Sequence, residues 1–158
     1  MIRLSRLADY GVVLACQMAS RADHCHNAYD LAASTGLPAP TVSKLLAAMA
    51  RAGILVSHRG AKGGYRLART PTEITAADIV SSVDGPIALT VCLEHGDGAC
   101  EVESLCPSRS GWRRINDAIR SAMTSVTLAE LAFSFPPPGF ANTGSAQGAG
   151  KPAEPVAS

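Results

Sequence analysis

Three of the five cysteines in this 158-residue chain fall within fifteen positions of one another, in the stretch TVCLEHGDGACEVESLCPSR over residues 90–109. Cys92, Cys100 and Cys106 follow the spacing C-x7-C-x5-C. Thiolates are soft donors, and a group of them suits zinc, copper(I) or an iron–sulfur cluster. Gly96 and Gly98 give the loop the freedom to wrap until its sulfurs converge. A structural zinc site usually takes four protein ligands and a disulfide takes two, so three thiols leave a position to be filled from elsewhere. His95, inside the loop, is one donor in reach. Merely packed or reactive thiols are the plainer alternative. A second group, His24, Cys25 and His26 in DHCHN, is less suited to a metal because adjacent residues rarely converge on one ion; it reads as a solvated interhelical loop. Cys16 reads as a small packed side chain.

The elements that must carry these residues are mostly helical. LSRLADYGVVLACQMAS places Leu4, Leu7, Gly11, Leu14, Ala15 and Met18 on one stripe and turns Asp9 away from it. NAYDLAASTGL predicts a second helix, capped by Asn27 and stopped by Gly36. PAPTVSKLLAAMARAG predicts a third, with Pro40 in its first turn, Val42, Leu45, Leu46 and Met49 inward, and Gly53 at its end. ILVSHRGAKGGYRLAR then changes period to two and predicts a β-hairpin with a basic tip. ITAADIVSSVDG predicts a short helix capped by Thr75. Beyond the cysteines, Trp112, Ile115, Ile119, Ala122 and Val126 are spaced 3, 4, 3, 4, a coiled-coil-like seam on a helix of four or five turns. Thr127 and Glu130 have capping-box spacing for a last turn through Phe133.

The expected fold is therefore mainly α with a small β-hairpin wing: a winged helix-turn-helix plus a long dimerisation helix. The expected organisation is a DNA-binding domain over 1–70, a connecting helix and cysteine loop over 71–107, a dimerisation helix and terminal turn over 108–134, and a disordered tail over 135–158. The tail's Pro, Gly, Ala and Ser content offers too little apolar surface to offset the entropy of ordering.

Charge separates along the chain. Up to Thr70 nine Lys and Arg face three Asp, a net of +6, whereas the remainder carries five basic and ten acidic residues, a net of −5. This suggests a polyanion partner for the first half alone, with chance asymmetry as the plainer alternative. In a winged helix-turn-helix the third helix enters the major groove, and its outward residues here are Thr41, Ser43 and Lys44. The hydroxyls suit phosphates or base edges, and Lys44 reaches a guanine or a phosphate. Arg59 and Lys62 at the wing tip approach the backbone or minor groove, while His58 packs or touches phosphate. The expected partners are double-stranded operator DNA and a second copy of the chain, since a homodimer presents two recognition helices to a palindrome. No apolar run of membrane-spanning length and no secretory signal stands in the sequence, so a cytoplasmic location is expected, where thiols stay reduced. No nucleophile–base pair or phosphate loop suits an enzyme.

Taken together, LADYGVVL, LAASTGLPAPTVSKLLAAMARAGIL, RGAKGGYRLAR, ITAADIVSSVDGP, the three-cysteine loop and VTLAEL resemble the dimeric winged-helix iron–sulfur regulators typified by IscR and NsrR. The resemblance covers residues 1–132, and PAPTVSK with RGAKGGYRLAR is closest to regulators of the SUF iron–sulfur assembly operon. It implies that Cys92, Cys100 and Cys106 hold a [2Fe–2S] or [4Fe–4S] cluster. In the IscR branch a histidine three residues past the last cysteine completes the site; here that position is Arg109, which cannot serve. In some NsrR-type members the fourth ligand is an aspartate early in helix 1 of the other subunit, and Asp9 matches it. A carboxylate ligand favours [4Fe–4S]. The implied function is a repressor that senses cluster status, redox state or nitric oxide and controls iron–sulfur assembly genes. Two other readings stay open. One is a cluster-free winged-helix regulator governed by a protein partner, with structural or zinc-bound cysteines. The other is a cluster carrier that needs neither helix 3 nor the wing.

Overall fold

The computed structural model describes residues 3–60, 63–90, 93 and 106–133. Lys62, Cys92, His95, Cys100 and the 135–158 tail lie outside the described residues.

Helix α1 (Arg6–Ala19) starts at Ser5, whose Oγ accepts the Ala8 N–H at 3.0 Å and donates to Asp84 at 2.6 Å. That cap leaves Leu4 outside the helix and 52% exposed, so the apolar stripe of α1 is shorter than its sequence period suggests. Helix α2 (Ala28–Thr35) is capped by Asn27, and Gly36 stops it in the left-handed region at φ 72°. Helix α3 (Ala39–Arg51) holds Pro40 in its first turn and buries Val42, Leu45, Leu46 and Met49. Strands β1 (Leu55–His58) and β2 (Gly64–Leu67) pair antiparallel, with Leu55 opposite Leu67 and Ser57 opposite Tyr65. The two leucines close the core from below while Val56, His58 and Arg66 stay exposed.

Helix α4 (Ala76–Asp84) begins with a reciprocal capping box between Thr75 and Asp78. Helix α5 (Arg109–Thr124) runs back along it. Midway along α5, the Asn116 side chain bonds the backbone of Ile87 and Leu89, just past the end of α4. Just past the end of α5, Val126 O accepts the Ala76 N–H at 2.9 Å. Helix α6 (Leu128–Phe133) then returns to the domain, where Leu128 is fully buried in one cluster with Leu14, Met18, Leu46, Met49 and Ile79. The sequence leaves α5 with nothing in its own chain to bury against. The structure gives it α4 and the 87–89 segment, through a face on which Ile119 and Met123 accompany Asn116.

Candidate nucleic-acid interface and cysteine centre

The turn between α2 and α3 is Gly36-Leu37-Pro38, and α3 opens with no side-chain cap and no acidic residue in its first turn. The partial positive charge of its N-terminus is therefore uncompensated on the side that would meet DNA phosphates. Ser43 and Lys44 are exposed, with Lys44 pointing away from the core positions, and Thr41 is half-buried at the edge of the core face. Arg51, exposed in the last turn, lies seven residues from Lys44 and so on the same side of the helix. Sequence reasoning passed over Arg51, although this spacing was legible. Arg59 is exposed at the wing. Arg69 is differently engaged: it donates to the Glu73 carbonyl at 3.0 Å and pairs with Asp78 at 3.4 Å, bracing the start of α4.

The wing has a third backbone partner. The His26 N–H donates to Tyr65 O at 2.8 Å and the Tyr65 N–H to His26 O at 2.7 Å, so the α1–α2 loop docks on β2. Gly64 makes this approach possible. Its φ is +155°, and a Cβ there would overlap His26 O and come within 2.8 Å of the His26 carbonyl carbon. The His26 ring donates Nε2–H to Arg21 O at 3.2 Å and meets His24 edge-on, with centroids 5.2 Å apart. Burial lowers the His26 pKa, against the opposing pull of the Arg21 carbonyl. Among the described residues no three metal-ligating side chains gather, so His24, Cys25 and His26 form no such site. Cys16 is buried, and burial pushes its thiol pKa up, as suits a packed side chain.

Of the cysteine loop, Cys106 is described: a half-buried free thiol just before α5. The way into the loop is also defined. Asn116 Oδ1 accepts the Leu89 N–H and Asn116 Nδ2 donates to Ile87 O, both at 3.1 Å. The way out is at Cys106, whose carbonyl accepts the Arg109 N–H at 3.5 Å. Arg109 and Asn116 are two turns apart, about 10 Å along the axis. The two ends of the loop are thus anchored on the first turns of one helix. A loop with both ends tied to one helix and three soft donors fits an iron–sulfur cluster or a zinc ion. Asp9 is exposed in the first half of α1, turned from its own core.

A helix-turn-helix with an uncapped recognition helix, followed by a basic hairpin, defines a winged-helix DNA-binding protein. The chain belongs to the Rrf2 family, described as iron-dependent transcriptional regulators, whose model matches residues 4–134. It is 33% identical over 132 residues to Rv1287 of Mycobacterium tuberculosis, named as an HTH-type transcriptional regulator, covering 83% of this chain and 81% of that one. The structure of CymR, the global cysteine regulator of B. subtilis, superposes with a TM-score of 0.65 at 30% identity, covering 84% of this chain and 98% of CymR. The T. potens IscR structure gives 0.62 at 27% identity, covering 82% of this chain and 85% of that one. The protein is a DNA-binding transcriptional regulator and not an enzyme. No described helix is long and apolar enough to cross a membrane.

Proposed function

We propose that this regulator is a homodimeric repressor of iron–sulfur assembly genes whose operator affinity follows the state of an iron–sulfur cluster. The observation that carries the reading is that the segment entering the three-cysteine loop is bonded to Asn116 midway along α5, while the loop ends at the free thiol of Cys106 just before the same helix. Cys92, Cys100 and Cys106 supply three thiolates, and Asp9 of the partner subunit supplies a carboxylate, a set that favours [4Fe–4S] over [2Fe–2S]. A bound cluster contributes a link that is sensitive to iron supply, oxidants and nitric oxide. Ligands drawn from the loop of one protomer and α1 of the other tie the relative placement of the two DNA-reading domains to the integrity of that link. Lys44, Ser43 and Thr41 then meet the major groove, and Arg59 and Lys62 meet the flanking backbone. A change of about 5–150-fold in operator affinity is the usual range for such coupling.

The seam of α5 supports the dimer. Trp112 and Ile115 are 43% and 46% exposed and Val126 is 37% exposed in the single protomer. Trp112 and Ile115 lie on α5 and Val126 just past its end, so apolar surface along this stretch stays uncovered in the single protomer.

The test is anaerobic purification followed by native mass spectrometry, with iron, acid-labile sulfide and zinc counted. Iron and sulfide in cluster stoichiometry on a dimer, with tighter operator binding than the apo protein, is the expected result. Equal operator affinity of holo and apo protein refutes the switch. The likeness to CymR over 98% of that chain favours a second reading, a cluster-free regulator controlled by a protein partner; zinc alone, or no metal after reconstitution, would select it.

A further inference from the structure

We propose that Asn116 is a positioning residue: it sets where the cysteine loop leaves the body of the protein, and it ties that point to α5. The consequence for cluster retention rests on the reading proposed above.

Asn116 is 8% exposed, on a helix whose other residues are largely solvent-facing. A buried amide is costly unless its donors and acceptor are engaged. Here the side chain takes one N–H and gives one N–H within a span of three residues, to Leu89 and Ile87 at 3.1 Å each. A residue serving only to fill space at this position would be apolar, as its neighbours on the same face, Ile119 and Met123, are. Those two line a groove together with Ile87 and Leu89. The amide thus holds the backbone of the segment while its side chains form part of the groove wall.

The placement explains why this matters. Leu89 stands three residues before Cys92, and Cys106 stands three before Arg109, the first residue of α5. Asn116 is one turn from Trp112 and adjacent to Ile115, both on the exposed seam. The same two turns of α5 therefore carry the exposed seam, the exit of the loop and, through Asn116, its entry. Asn116 thus makes the 87–89 segment follow the position of α5.

The experiment compares wild type with Asn116→Asp and Asn116→Ala by hydrogen exchange of the apo protein and by iron release from anaerobically purified protein. Asn116→Asp keeps an acceptor for Leu89 but sets an oxygen against the Ile87 carbonyl; Asn116→Ala loses both bonds. The expected result is exchange about tenfold faster in peptides spanning 84–90, with the peptides of α1 to β2 unchanged. Iron release to a chelator becomes several-fold faster in both variants, on the order of tenfold in Asn116→Ala. A general loss of stability, introduced as Leu128→Ala, leaves the release rate near that of wild type. Unchanged exchange over 84–90 overturns the positioning role, and so does faster exchange everywhere in the fold. Unchanged iron release from the variants overturns the link to the cluster. Absence of iron and sulfide from the wild type removes the cluster reading, and the exchange comparison still decides whether Asn116 fixes the loop.

Discussion

Replacing Gly64 by alanine tests whether the docking of the α1–α2 loop on the wing organises the DNA-reading surface. The added Cβ would overlap His26 O and approach Asn27 N to 3.2 Å, all backbone atoms that no rotamer change relieves. Either β2 shifts or the pair of hydrogen bonds between His26 and Tyr65 opens. Two such bonds contribute about 1–3 kcal/mol together, and a φ of +155° in a non-glycine residue adds about 1–3 kcal/mol of strain. A destabilisation of about 3 kcal/mol leaves a domain of ordinary stability mostly folded at room temperature. It lowers the melting temperature by about 10 °C or more. Because Arg59 sits on the hairpin that moves, operator binding weakens by about tenfold and its log–log salt slope becomes shallower by about 0.9, the value of one phosphate contact. Differential scanning calorimetry and fluorescence anisotropy on a labelled duplex at several salt concentrations read both effects. A variant that melts within about two degrees of wild type and binds DNA equally well would refute the reasoning.

Lys44→Ala and Arg59→Ala should each reduce the salt slope by about 0.9 without lowering the melting temperature, and an unchanged slope removes that residue from the interface. Ile115→Glu places two carboxylates against the seam at a two-fold axis; analytical ultracentrifugation at micromolar concentration should show monomer, and a persistent dimer would place the interface elsewhere. Burial lowers the His26 pKa below the ordinary 6.5, so the unfolded chain binds more protons between the folded value and 6.5. Stability is therefore full above about pH 6.5 and declines as pH falls through that window, and His26→Gln should flatten the decline in thermal melts taken from about pH 7 to pH 5.

Much of the fold was legible because its signals are local. Asn27, Thr75 and Thr127 accept the hydrogen bonds their capping positions require, and Gly36 stops α2 as its type suggests. The buried side of α3 follows directly from its period. What escaped was long-range. Nothing near His26 in the chain announces a partner at Tyr65, and the only local trace is the second glycine of KGGY. Asn116 reads as one polar residue among many on a charged helix; its burial depends on a segment 27–29 residues away. Leu4 fits the period of the α1 stripe, but the Ser5 cap begins the helix after it and leaves it exposed. The cysteines were legible as chemistry through spacing alone, whereas a ligand donated by another subunit has no spacing to read.

The packing constrains what kind of switch this architecture can make. Gly11 brings α1 so close to α4 that a Cβ there would lie 3.1 Å from Val83 Cγ2. Ser5 adds a hydrogen bond to Asp84 across the same contact. Helix α5 is held to the ends of α4, by Asn116 through residues 87–89 and by Val126 at Ala76, and Leu128 of α6 is buried with residues of α1 and α3 in one cluster. A protomer tied at so many points resists internal rearrangement, because close-packed cores deform in discrete steps and not smoothly. In the proposed dimer, the free degree of freedom is then the placement of one protomer on the other, across the exposed seam of α5. In the proposed switch, a ligand set shared between the loop of one protomer and Asp9 of the partner subunit acts on that placement. Operator affinity changes because the two α3 helices no longer match the spacing of the half-sites, while each helix keeps its own contacts. The division of charge agrees with the proposed switch: the net +6 lies in the half that carries α3 and the wing, and the net −5 in the half that carries α5.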